Sequence, residues 1–222
     1  YYRNNDLDKS IYYFKLASDL KEPNSLFNLG FIYFENKILQ NIDKAVYYFT
    51  LAAKENQRPA QMFLGMIYFN KSFGLFDIDK AIHYLKLSAN QGCSDSQFVL
   101  GYIYFMNEYV QKDIVKSIYY FTLSANQGCS DSQYILGYIY FMNEYVQKDI
   151  VKSIYYFTLS ANQGNSDSQY FLGELYLQNV NVLRDINKAL YFASLSAKQH
   201  NLNAYCLLGR IYLYLNDIEK GI

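Results

Sequence analysis

The residues that could do chemistry in this chain are few. They are His83 and His200, the cysteines Cys93, Cys129 and Cys206, and recurring aspartates at Asp77, Asp113, Asp149 and Asp185. A nucleophile needs a base beside it, and a metal needs several converging ligands. The cysteines have no local histidine partner, and three at these spacings form neither a disulfide framework nor a metal motif. Cys93 and Cys129 hold the same place in successive repeats and read as buried or half-buried thiols. His83 falls on an outward helical position and His200 in a connecting segment, so both read as solvated. Each aspartate precedes an amphipathic run, where its carboxylate caps a helix rather than serving as an acid or ligand. No phosphate loop or dinucleotide fingerprint occurs. The inventory points to no catalytic residue, no cofactor and no metal.

What positions these residues is a repeat. The run Cys93 to Gly128 recurs over the next 36 residues with two changes, Phe98 to Tyr134 and Val99 to Ile135. Leu-Gly pairs at 29-30, 64-65, 100-101, 136-137, 172-173 and 208-209 mark weaker copies, 35 or 36 residues apart. Such regularity sets the architecture.

Each unit holds two helical patterns, A then B. The A patterns cover about 25–35, 59–70, 95–107, 131–143, 167–178 and 203–215. The B patterns cover about 8–20, 42–55, 78–90, 114–126, 150–162 and 186–198. The expectation is one all-α domain over 1–222. Its units lie near 24–58, 59–94, 95–130, 131–166 and 167–202, with partial units 1–23 and 203–222. That gives five complete pairs flanked by a lone B helix and a lone A helix. Tyr1 in place of an initiator Met, and a C-terminus where another helix should begin, suggest a piece of a longer protein.

Gly92, Gly128 and Gly164 are placed to end B helices at positive φ. The glycine after each Leu sits inside an A helix, where it costs about 1 kcal/mol relative to Ala. Repeating that choice implies that a neighbouring backbone passes close by. Ala or Ser at 45, 81, 117, 153 and 189, with Phe49, Phe121 and Phe157 between small residues, suits interdigitating helices.

Composition narrows the function classes. The 222 residues are 51% hydrophobic and 18% charged with formal net charge +0, which argues for a packed core and against disorder. No Lys/Arg cluster matches a phosphate backbone, so no nucleic acid is expected. No run of eighteen apolar residues occurs, so no membrane insertion is expected. No signal peptide is present, and a reducing compartment such as the cytoplasm is the default.

The pattern resembles the Sel1-like repeats, relatives of the tetratricopeptide repeat. The third unit supplies Ser96, Leu100, Gly101, Tyr104, Asp113, Ser117, Tyr120, Phe121, Ser124 and Ala125. The second supplies Ala60, Leu64, Gly65, Tyr68, Asp77, Ala81, Tyr84, Leu85, Ser88 and Ala89. The resemblance implies a right-handed α/α superhelix that acts as an adaptor or scaffold. Two departures stand out. Asn107 and Tyr109, or Asn143 and Tyr145, replace the turn glycines of units three and four, and the paired cysteines of the secreted branch are missing. A different turn path is expected there.

The resemblance also places two A-helix side chains per unit in a concave groove. They are Asn28 and Phe31, Phe63 and Met66, Val99 and Tyr102, Ile135 and Tyr138, Phe171 and Glu174, Leu207 and Arg210. Mostly apolar at the centre, they suit a peptide or partner helix with hydrophobic anchors. Some could instead pack against the adjacent A helix. On the B helices an i,i+4 pair of Tyr and Leu, as in Tyr119 and Leu123 or Tyr155 and Leu159, marks an outer ridge. Each Leu could equally lie at the boundary between neighbouring helices. The leading reading is a non-catalytic protein- or peptide-binding scaffold. The alternative is a structural spacer or regulatory arm that self-associates weakly through the ridge.

Overall fold

The computed structural model describes residues 4–106, 108, 110–142, 144–178 and 184–220. Those residues form an all-α solenoid of paired helices without a sheet. The chain divides into two compact units, Tyr1–Lys112 and Asp113–Ile222. Unit 1 contains α1 (Asn4–Asp19), α2 (Pro23–Glu35), α3 (Ile42–Lys54), α4 (Arg58–Phe69), α5 (Ile78–Asn90) and α6 (Ser94–Phe105). Unit 2 contains α7 (Ile114–Asn126), α8 (Ser130–Phe141), α9 (Ile150–Asn162), α10 (Ser166–Gln178), α11 (Ile186–Lys198) and α12 (Leu202–Lys220). Even-numbered helices are the A type and odd-numbered ones the B type. Each unit thus runs from a B helix through two hairpins to an A helix.

Local chemistry sets the ends. The carboxylates of Asp77, Asp113, Asp149 and Asp185, and the amide oxygen of Asn41, accept from the backbone N–H three residues on at 2.9–3.0 Å. These bonds satisfy an otherwise orphaned donor of each B helix. Pro23 opens α2, where Glu22 accepts from the N–H groups of Asn24 and Ser25. At the B-helix exits Gly92, Gly128 and Gly164 take φ of 82°, 91° and 93°, as expected. Asn56 and His200 adopt the same conformation after α3 and α11. His200 is therefore a helix-ending residue. The turn expectation for Asn107, Tyr109 and Asn143 lies outside the described residues.

Inside each unit the B-helix ring seats over the A-helix glycine. A Cβ on Gly30 would lie 2.6 Å from Phe49, and one on Gly137 2.6 Å from Phe157. The close neighbour is mainly a side chain, where the sequence suggested backbone. Backbone comes close at two sites: Leu85 N is 3.2 Å from a Cβ added at Gly65, and at Gly173, where the B-helix residue is Ala193, Ala189 O and Ala193 N are both 3.3 Å away. Leu207 of α12 fills the remaining space. A small residue on one element is answered by a larger one on the next.

A polar ladder fixes register between hairpins. Gln61, Gln133 and Gln169 are buried on A helices, and their amides donate to Ala53 O, Ala125 O and Ala161 O on the preceding B helix. Gln91, Gln163 and Gln199, at the following B-helix ends, donate to the three side-chain oxygens at 2.8–2.9 Å. A slip along the seam would strand these buried amides, which is costly.

Candidate functional site

The chemically capable residues stand apart. His83 is exposed on α5, Cys93 and Cys129 are half-buried at the starts of α6 and α8, and Cys206 is exposed on α12. Among the described residues no three His, Cys, Asp or Glu side chains could together hold a metal ion. The four aspartates are held below the usual carboxylate range. The lysine three residues on is the cause, through its backbone N–H at Asp77, Asp149 and Asp185 and chiefly through its ammonium at Asp113. What remains is surface.

In unit 1 the groove candidates separate into wedge and face. Phe63 rises from α4 into a ring cluster, 5.9 Å from Phe27, 5.7 Å from Phe31, 5.4 Å from Phe34 and stacked at 5.2 Å on Phe49. It joins hairpin to hairpin and is half-buried, as is Asn28, while Val99 is buried. Phe31, Met66 and Tyr102, equivalent positions on α2, α4 and α6, remain 39%, 41% and 38% exposed. Beside Met66 a depression of about 650 Å³ is lined by Phe34, Met62, Phe63, Phe69 and Phe73. The accessible face is mostly apolar, with Asn70, Lys71 and Asp95 also lining the depression.

Unit 2 builds the same wedge with a different face. Phe171 lies 6.2 Å from Tyr134, 5.8 Å from Tyr138 and 5.6 Å from Phe141, and stacks on Phe157 at 5.0 Å. Burial, with Asp167 and Tyr138 adding to it, pushes the Tyr134 phenol up to about 12, so this ring enters the cluster uncharged. Ile135 and Tyr138 are half-buried and Leu207 is buried. Glu174 occupies the position of Phe31 and Met66, yet it is only 6% exposed. Its carboxylate accepts from Gln178 Nε2 at 2.7 Å and pairs with the Arg210 guanidinium, which reaches out to solvent. A buried carboxylate persists only with such partners.

The B helices carry the ridge. Tyr12 and Tyr47 in unit 1, and Tyr119, Tyr155 and Tyr191 in unit 2, are each 57–60% exposed. Leu123 and Leu159 are half-buried below Tyr119 and Tyr155, with Leu51 and Leu195 in the same state. Each tyrosine stands edge-on against the next aromatic, as in Tyr119 on Tyr120 and Tyr155 on Tyr156, both at 5.1 Å.

Each unit also holds stacked ring pairs that sequence reasoning missed. Tyr48, Tyr84, Tyr156 and Phe192 stack within 10° of parallel on the A-helix tyrosines Tyr33, Tyr68, Tyr140 and Tyr176. Lys44, Lys80, Lys152 and Lys188 then cover those tyrosines, 4.9–5.2 Å from the ring centres. Lys80, Lys152 and Lys188 also pair with the capping aspartates. The available signal was the Asp-x-x-Lys step, Asn-x-x-Lys at Asn41, at those B-helix starts. Likewise, the Glu174–Arg210 pair sits at one repeat position, 36 residues apart.

Comparison with known proteins agrees with this geometry. A family model described as the Sel1 repeat matches residues 3–22, 23–57, 58–93, 94–129, 130–165 and 166–201. The chain is similar to c5321, a protective antigen of uropathogenic Escherichia coli with an SLR fold, at 29% identity and a TM-score of 0.85. That match covers 92% of this chain and 44% of c5321, so the chain spans less than half of that protein. It is also similar to a Sel1 repeat protein from Oxalobacter formigenes, at 28% identity and a TM-score of 0.73, over 87% and 79% of the two chains. No curated protein matches it.

Proposed function

The chain belongs to the Sel1 repeat family, a solenoid fold generally associated with protein–protein scaffolding, and on that premise we propose that it is a non-catalytic adaptor that binds a peptide or partner helix across its A-helix face. One observation carries this reading. Phe31, Met66 and Tyr102 stand at one repeat position on three A helices of unit 1, each more than a third exposed. A ligand with apolar anchors spaced to match would bury all three, and aromatic and Met side chains supply much contact area at modest entropic cost. In unit 2 Tyr138 and the Arg210 guanidinium offer a more polar platform. The ligand is a protein or peptide rather than nucleic acid. Among the described residues no helix is long and apolar enough to cross a membrane. Three free cysteines favour a reducing compartment such as the cytoplasm.

The test is selection from a random 16-residue peptide library on the whole chain, followed by titration of enriched peptides against variants. Met66→Glu and Tyr102→Glu should weaken binding at least tenfold with helicity and melting unchanged. Tyr119→Glu and Tyr155→Glu on the ridge should leave it intact. Loss from the ridge pair alone would overturn the groove reading.

The recurrent exposure of the B-helix tyrosines favours a second reading, a spacer or regulatory arm that self-associates weakly through the ridge. Concentration-dependent mass that disappears in Tyr119→Glu/Tyr155→Glu would support it.

A further inference from the structure

Helix α6 lacks the side-chain cap that α2 and α10 have. Glu22 and Asn165 hold one repeat position, just before those two helices. Their side-chain oxygens accept from backbone N–H groups of the first turn, Asn165 Oδ1 from Ser168 at 2.8 Å. Before α6 the same position is Cys93, whose side chain makes no capping bond. The thiol is half-buried and in no disulfide.

Two hydroxyls flank this thiol. Ser88 and Ser96 are fully buried, and neither Oγ has a hydrogen-bond partner. Ser132 and Ser168 share the state of Ser96, so Ser88 is the sharper sign. Its repeat equivalents Ser160 and Ser196 donate to Ser130 O and Ser166 O at 2.9 and 2.7 Å. The Ser88 hydroxyl makes no such bond and turns, with Ser96, toward the Cys93 sulfur. A buried hydroxyl without an acceptor is costly, and a neutral thiol is a weak acceptor. A thiolate, or an oxygen carried on the sulfur, is a strong one. Burial and the nearby Asp95 push the thiol up. The Ser96 and Ser88 groups facing the sulfur outweigh both and hold it below its ordinary value. Thiolate is the nucleophilic form.

We propose that Cys93 is a peroxide-reactive modification site, and that its sulfenic acid supplies the missing cap of α6. The Cys93 thiolate attacks one oxygen of hydrogen peroxide, and the S–O bond forms as the O–O bond breaks. Sulfur gives up two electrons, and the other peroxide oxygen leaves as hydroxide, which solvent protonates. The new Cβ–S–O chain has as many bonds as the Cβ–Cγ–Oδ1 chain of asparagine. Its oxygen therefore stands where Asn165 places its own, and accepts from the Ser96 N–H between the two unpaired hydroxyls. Oxidation completes this helix end where it would ordinarily disturb one.

The test uses the 222-residue chain with Cys129→Ser and Cys206→Ser, which leaves Cys93 as its one thiol. Treated with hydrogen peroxide at neutral pH, that thiol should disappear about threefold or more faster than free cysteine, and dimedone should trap the product. Melting temperature followed by circular dichroism should rise by about 2–4 °C on oxidation. Cys93→Asn should show the same rise without peroxide, and Cys93→Ala should show none with it. Ser88→Ala should slow the reaction toward the rate of free cysteine. A reaction no faster than free cysteine, or one unaltered by Ser88→Ala, overturns the reactive site. A dimedone-reactive product that leaves melting unchanged or lowers it overturns the cap, as does Cys93→Asn without a rise. These variants leave Phe31, Met66 and Tyr102 in place, so peptide binding can be scored separately.

Discussion

The hairpin stacks of unit 1 and unit 2 are the same machine with different faces. In α2–α3–α4 the ring of Phe63 stacks on Phe49 with 11° between planes, and in α8–α9–α10 the ring of Phe171 stacks on Phe157 with 1°. The partners around each wedge sit at the same repeat positions. One step along the A helix the likeness ends. Unit 1 presents Phe31, Met66 and Tyr102, and unit 2 presents Tyr138, the buried Glu174 and Arg210. Positions that join hairpin to hairpin are constrained by their neighbours, because a volume change in a close-packed seam propagates. Positions one step outward keep part of their surface open, as Phe31, Met66 and Tyr102 do, and are freer to differ.

The strongest way to break the comparison is to remove the B-helix ring on which each wedge stacks. Phe49→Ala and Phe157→Ala each delete a fully buried ring, and each should cost about 3–5 kcal/mol in denaturant unfolding. A large inequality between them would mean that the two stacks are not energetically equivalent.

The next largest effect lies in the difference between the faces. Arg210→Ala leaves the Glu174 carboxylate buried without its cationic partner, and should destabilise unit 2 by roughly 1–3 kcal/mol, reduced from a fully buried pair because Arg210 is half-exposed. Glu174→Met paired with Arg210→Met should restore the loss and give unit 2 an apolar face like that of unit 1. Thermal melts of the three variants would show it, and a double variant no more stable than Arg210→Ala would contradict the account.

The glycines sharpen the comparison by sign. Gly30→Ala and Gly137→Ala push a methyl into a phenyl ring and should destabilise by about 1–3 kcal/mol despite better helix propensity. Gly209→Ala meets open space and should stabilise by about 0.5–1 kcal/mol. Equal signs at the three sites would remove the packing explanation.

The smallest effect is with pH. Asp77 in unit 1, and Asp113, Asp149 and Asp185 in unit 2, are held below their ordinary value in the folded chain. A depressed carboxylate adds stability that is present above its unfolded pKa and lost as pH falls through its folded one. Melting temperature should therefore be level near neutrality and fall below about pH 4. Asp77→Asn, Asp149→Asn and Asp185→Asn, which keep a capping oxygen, should flatten that fall. An unchanged acid limb would assign it to other groups.

Much of the fold was legible because it is local. Asp113 and Lys116 lie in one turn, Gly128 ends the helix it follows, and the Leu-Gly step recurs every 35 or 36 residues. Such features depend on nearest neighbours along the chain, so the helix pairs, their caps and their approximate bounds follow from the residues themselves. The surfaces were legible only as a set of candidates. The repeat register named Phe31 and Phe63 together, yet one faces solvent and the other is wedged among four rings.

The sequence by itself determined the repeat, the helices and the caps, because each rests on residue types at short or periodic spacing. Only the tertiary structure decided which side chain of each pair is spent on packing. It also joined Glu174 to Arg210, threaded the glutamine ladder and left Gly209 bare. Those outcomes depend on which element lies opposite, a quantity that the chain specifies through packing between helices and not within any one of them.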